Sequence, residues 1–84
     1  MSDTTENYLE GRVRAIIGDV FRLSLDEANG ELQIGNPPQW DSIGHMQLLV
    51  QIEDEFGLRF PMHAIASLIN VDAIVKAIEA QQVQ

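Results

Sequence analysis

The sequence predicts an all-α fold, a small four-helix bundle with a long first loop and a short third helix. Apolar residues recur at spacings of three and four along most of the chain, while strand-type alternation never lasts beyond a residue or two. Helix boundaries are marked in the residues themselves: Gly57 follows one apolar run, Pro61 opens the next segment, and Asn70 precedes the last. The length of 84 residues suits one domain over positions 1–84. A chain this short buries only about 60–65% of its unfolded surface, so the core is thin and a deep internal site is hard to build.

The first helix is expected from Thr4 or Thr5, as N-caps, to about Leu23. Leu9, Val13, Ile16, Ile17, Val20 and Phe21 give it one apolar stripe. Residues 24–41 read as a loop: Asn29-Gly30 is a turn signal and Pro37-Pro38 prevents regular helix. Leu25, Leu32 and Ile34 are expected to peg this loop to the core. A loop of such length in a small domain usually has a job or a short helical turn inside it. The second helix is predicted at Ser42–Phe56 with Gly57 as its C′ residue. A short third helix follows from Pro61 to about Leu68. Asn70 caps the fourth, in which Val71, Ile74, Ala77 and Ile78 face inward.

Charge narrows the function. Thirteen acidic and five basic residues give a formal net charge of −8. Such a surface repels nucleic-acid phosphates and anionic membranes, and attracts basic patches on protein partners. With no cysteine, disulfides, thiolate metal sites and a cysteine nucleophile are excluded, so any thiol chemistry needs a thiol from a cofactor. The polar, acidic N-terminal residues are unlike a signal peptide, and no apolar run could span a bilayer, so a cytoplasmic location is expected by default; the chain is expected to be a monomer.

The informative stretch is Trp40-Asp41-Ser42-Ile43-Gly44-His45-Met46 and the helix it opens. It places a serine hydroxyl at a helix start, where backbone N–H groups lack helical partners and a phosphate ester would meet a favourable field. A serine there is, by default, only a cap. The same helix carries two apolar stripes. Leu49, Ile52 and Phe56, with Leu48, face inward, while Ile43, Met46 and Val50 lie on a rotated face. That second face is either covered by the third helix or loop, or left open as a docking strip rimmed by acids.

Asp41-Ser42-Ile43 resembles the Asp-Ser-Leu/Ile motif of acyl carrier proteins. The likeness continues without a gap through Leu48-Leu49-Val50-Gln51-Ile52-Glu53-Asp54-Glu55-Phe56-Gly57, and on through Pro61 and the Val71-x-x-Ile74 opening of the last helix. The resemblance implies the acyl-carrier type of bundle. It implies that Ser42 receives a covalent 4′-phosphopantetheine arm from coenzyme A, through a Mg-dependent phosphopantetheinyl transferase that Asp41 helps to engage. The arm's thiol would carry acyl groups as thioesters to acyl-loading and acyl-processing enzymes. The chain itself would then be no enzyme. Ile43, Met46 and Val50 match family positions that contact partners, and Glu53, Asp54 and Glu55 would meet basic docking patches.

Departures from the pattern matter. Members of the fatty-acid type often carry acids just after the serine and three positions further on. Here those places hold Gly44 and Gln47, with His45 between them, and Trp40 stands where a small residue is common. This wording resembles stand-alone carriers of specialised pathways, making secondary metabolites, polyketide units or lipopolysaccharide components. Trp40 either pins the loop to the bundle or lies beside Ser42 and touches partner or cargo; His45 is expected as a polar residue beside the arm. Two alternatives remain: a carrier of aminoacyl cargo, and an unmodified helical interaction module with Ser42 as a plain cap. A Ser42–His45–Asp41 triad is rejected, because neighbouring positions at one helix start cannot supply nucleophile, base and orienter geometry. His45 and His63 lack metal-ligand spacing.

Overall fold

The computed structural model describes the backbone of residues 2–82 and the side chains of residues 6–82. The described residues form three long helices and two single-turn ones: α1 (Ser2–Phe21), α2 (Leu25–Ala28), α3 (Ser42–Phe56), α4 (Met62–Ile65) and α5 (Val71–Gln82). The all-α fold expected from the sequence is the one observed, with one extra turn of helix inside the long loop.

Helix α1 is the hub, packed against α5, α3 and α2. Its stripe Leu9, Val13, Ile17 and Phe21 is buried, with Ile16 and Val20 on the flank of the core. Leu48, Leu49 and Ile52 of α3, and Val71, Ile74, Val75 and Ile78 of α5, complete the core. Thr4 and Thr5 fall within α1 rather than ahead of it, and their side chains lie outside the described residues. The helix stops two residues short of the expected Leu23 because Arg22 turns left-handed, at φ 57°. The Leu23 N–H then donates to the Gly18 carbonyl at 2.8 Å, the reversed bond of a Schellman-type end.

The loop is organised by a capping box. The Glu27 N–H donates to the Ser24 hydroxyl at 3.1 Å and the Ser24 N–H to the Glu27 carboxylate at 2.9 Å, which nucleates α2. Arg14 of α1 then donates to the carbonyls of Ala28 and Gly30, at 3.0 and 2.6 Å, pinning the Asn29-Gly30 turn. Leu25 is 82% exposed and Ile34 is also exposed, so neither pegs the loop. Of the three expected pegs only Leu32 is buried; Ala28, Pro37 and Trp40 supply the rest. Leu25 points away because the capping box fixes α2 with Ala28 on its inner face. The far side of the loop is tied to the segment before α5, where the Ile34 N–H donates to the Ile69 carbonyl at 2.8 Å.

Helix α3 has the predicted bounds. Gly57 ends it at φ 65°, in the left-handed region that favours glycine. Helix α4 is one turn long, shorter than expected, with Pro61 as its N-cap. Asn70 caps α5 as predicted, its side-chain oxygen accepting the Ala73 N–H at 2.8 Å. Ala77 is half-buried, and Val75 takes the core position beside Ile74 and Ile78.

Candidate functional site

The start of α3 is built by four residues around Ser42. Asp41, in extended conformation, is the N-cap; its carboxylate accepts the Gly44 N–H at 2.8 Å. The cap therefore does not use the Ser42 hydroxyl, and Ser42 is the first helical residue, exposed to solvent. The reading of Ser42 as a plain cap loses its ground here. With Gly44 satisfied by Asp41, the N–H groups of Ser42 and Ile43 remain without intrahelical partners and sit at the positive end of the helix. Replacing Asp41 with alanine is expected to cost about 1 kcal/mol of stability by removing this cap, measurable by urea denaturation.

Gly44 is buried where the loop crosses the helix. A methyl group there would run into the Gln39 carbonyl oxygen, well inside contact distance, and lie 2.9 Å from the Phe21 ring. Gln39 is itself anchored, its amide donating to the Phe21 carbonyl at 3.1 Å. Glycine is thus the residue that lets the end of α1, the loop and the start of α3 approach.

Trp40 is fully buried, so its place on a partner-contacting surface is corrected: it pins the loop. Its ring lies 6.1 Å from the Phe21 ring, and the His45 imidazole lies nearly parallel to it with centroids 6.1 Å apart, edge to edge. The indole N–H donates to His45 Nδ1 at 2.9 Å. Since Nδ1 accepts, the ring proton belongs on Nε2, which donates to the Ile65 carbonyl at 2.9 Å. His45 is buried, with both ring nitrogens engaged, and does not stand beside the arm as expected. Its inward direction also takes it away from any triad with Ser42. Trp40, Gly44 and His45, which look like a functional signature in the sequence, form one packing unit that joins the loop, α3 and the end of α4.

Up the same helix, Ile43, Met46 and Val50 are 73%, 47% and 55% exposed. The second stripe is open; neither α4 nor the loop covers it. Met62, at the start of α4, is also exposed. The acid triplet does not act as a unit. Glu55 pairs with Arg12 of α1. Glu53 accepts the Phe60 N–H at 2.8 Å, closing the α3–α4 connection. Asp54 alone faces solvent without such a commitment among the described residues. Both ties reach residues distant in sequence or in an irregular segment, so a charge pattern could not reveal them.

The chemistry fits a covalently attached phosphate ester: an exposed hydroxyl left out of the cap, at a helix start whose free N–H groups favour negative charge. No helix among the described residues is long and apolar enough to cross a membrane. Comparison with known proteins agrees with this chemistry. Residues 40–78 match the model of the phosphopantetheine attachment site, the domain to which 4′-phosphopantetheine is covalently joined. The chain is 27% identical over 78 residues to an acyl carrier protein of Lactobacillus johnsonii, covering 93% of this chain and 98% of that one. The matched span holds the Asp41 cap, the exposed Ser42, the open stripe of α3 and the first two turns of α5, so these residues are similar to a phosphopantetheine attachment site and the chain is similar, nearly end to end, to an acyl carrier protein.

Proposed function

We propose that the 84 residues act as one carrier domain in which Ser42 holds the phosphopantetheine arm and the stripe Ile43, Met46 and Val50 docks the enzymes that load and process its cargo. The observation that carries this reading is the division of labour at the start of α3: Asp41 caps the helix, and the Ser42 hydroxyl is left exposed for modification. When bound, the arm supplies a thiol that a chain without cysteine otherwise lacks. The chain's own part is to present and orient. Asp41 fixes the backbone around Ser42 and offers its exposed carboxylate edge to a transferase, and the rigid α3 sets the docking stripe at a constant distance from the attachment point. Asp54 contributes the acidic contact for a basic partner surface; Glu53 and Glu55 are held by internal partners and contribute mainly to the field.

The departures from the fatty-acid pattern bear on the pathway. Gly44 and His45 are explained by packing, so only Gln47, exposed on α3, speaks about partner choice. Its neutral amide, in place of an acid, supports enzymes of a specialised pathway over those of bulk fatty-acid synthesis.

Incubation with coenzyme A, Mg and a broad-specificity phosphopantetheinyl transferase, followed by intact-mass measurement, tests the reading. A gain of one phosphopantetheine is expected for the wild type and none for Ser42→Ala. Because Ser42 is not the cap, Ser42→Ala is expected to unfold within about 0.5 kcal/mol of wild type. No mass gain beside an active transferase control would sink the proposal.

A further inference from the structure

The ion pairs of the molecule leave an asymmetry among its five cationic side chains. Arg12 is paired with Glu55, Arg14 with Glu10, and Lys76 lies 3.9 Å from Asp72. Among the described residues, Arg22 and Arg59 form no ion pair. Arg59 lies beyond the far end of α3. Arg22 lines an open groove at the Ser42 end, between the close of α1 and the start of α3, together with Gln39, Asp41, Ile43 and Gln47. Ser42 does not itself line this groove, but it stands in the chain between Asp41 and Ile43, which do, so a flexible arm esterified to it starts next to the groove.

We propose that Arg22 is the counter-ion of the phosphodiester at Ser42, binding its oxygens and seating the first part of the arm in this groove. The inference rests on Ser42 being the attachment residue. A phosphodiester there places a negative charge beside the Asp41 carboxylate, in a chain of formal net charge −8. Such crowding favours recruitment of a cation that has no ion pair among the described residues. Arg22 is the sole cation among the described residues lining the groove, and the forked donors of a guanidinium match phosphate oxygens. The covalent tether holds the anion at high effective concentration, so a contact too weak to capture free phosphate forms once the phosphate is attached. The other polar groups of the wall are partly committed: Gln39 donates to Phe21 and Asp41 accepts from Gly44. The left-handed backbone at Arg22 turns Leu23 back onto the core while the arginine itself stays exposed.

The backbone also provides the variant that tests this. A left-handed helix end favours glycine, so Arg22→Gly removes the cation at a position where the fold tolerates the change. Isotope-labelled wild type, Arg22→Lys and Arg22→Gly are loaded with coenzyme A and transferase, and loading is confirmed by mass. In the wild type, loading is expected to shift the Arg22 Nε–H resonance and slow its exchange with water, and added salt to reverse both. In Arg22→Gly the phosphorus resonance is expected to lose its salt dependence and the geminal methyls of the arm to gain mobility, with Arg22→Lys intermediate. An Arg22 Nε–H that is indifferent to loading, or identical phosphorus and methyl behaviour in wild type and Arg22→Gly, overturns the proposal and leaves the carrier reading standing. Absence of a mass gain overturns both. Should Arg22→Gly fold poorly, the comparison of unloaded and loaded wild type decides alone.

Discussion

Gly44→Ala is expected to be among the most damaging single-methyl changes in the molecule. The added carbon meets the Gln39 carbonyl and the Phe21 ring, and neither yields easily. The carbonyl is backbone, in a loop held at Trp40 and by the Gln39 amide, and the ring is buried in the core. Relief therefore requires the first turn of α3 to move away from the loop. That movement strains or breaks the bond from the Gly44 N–H to Asp41, so an overpacking cost of about 1–3 kcal/mol is joined by a cap loss of about 1 kcal/mol. In a domain of this size the sum corresponds to a fall in Tm of at least about 10 °C by calorimetry. Loading should suffer separately, because Ser42 moves with the turn, and misplacement by about 1 Å costs on the order of 10²-fold in a reaction that depends on alignment. Native-like Tm and loading in Gly44→Ala would refute the close approach described at this crossing.

The second large effect is expected at Trp40. Truncation to alanine removes a fully buried ring and is expected to cost about 3–5 kcal/mol, a large share of the stability of a small domain. It also leaves His45 Nδ1 without its donor. Trp40→Phe separates these contributions, since it keeps an aromatic ring and deletes only the donor and some volume. A buried acceptor left unpaired costs about 1–3 kcal/mol, whereas removing both partners is cheaper. In a cycle with His45→Leu, the double variant is therefore expected to be more stable than the sum of the single losses, with a coupling of about 0.5–3 kcal/mol from urea midpoints. Strict additivity would show that the indole–imidazole bond contributes nothing.

The parts of this molecule that were legible in its sequence are those whose cause is local. Helix α3 follows from its periodicity and Gly57, α5 from Asn70 and its apolar stripe, and the exposed serine from its place at a helix start. The single turn of α2 was legible in principle, because Ser24 and Glu27 have capping-box spacing, but the Pro-Pro and Asn-Gly signals around it favoured a loop. What stayed hidden depends on contacts between distant segments. Trp40 is buried because Phe21 and His45, on two different helices, close on its ring. Glu55 is occupied because Arg12 lies across from it on α1, and Glu53 because the connection after α3 turns back toward it. The candidate site divides the same way. Spacing put Ser42 at a helix start and Ile43, Met46 and Val50 on one face; their roles came from the family resemblance, and the exposure of that face and the assignment of the cap to Asp41 needed the structure.

Helix α4 has no buried residue, and it is joined to the rest by the His45 bond to Ile65, the Glu53 tie at Phe60 and the half-buried Ile65 itself. The molecule is therefore stratified. The packing of α1 with α3 and α5 is expected to open only in global unfolding, while α4 itself is expected to open more easily, being held by a few polar contacts and by Ile65, with buried Phe60 and Leu68 on either side of it. One of those contacts runs through His45 to Trp40, whose chain neighbour is the Asp41 cap. Opening of α4 alone would take the Ile65 carbonyl away from the His45 N–H, and faster amide exchange in α4 than in α1, α3 and α5 is its expected sign.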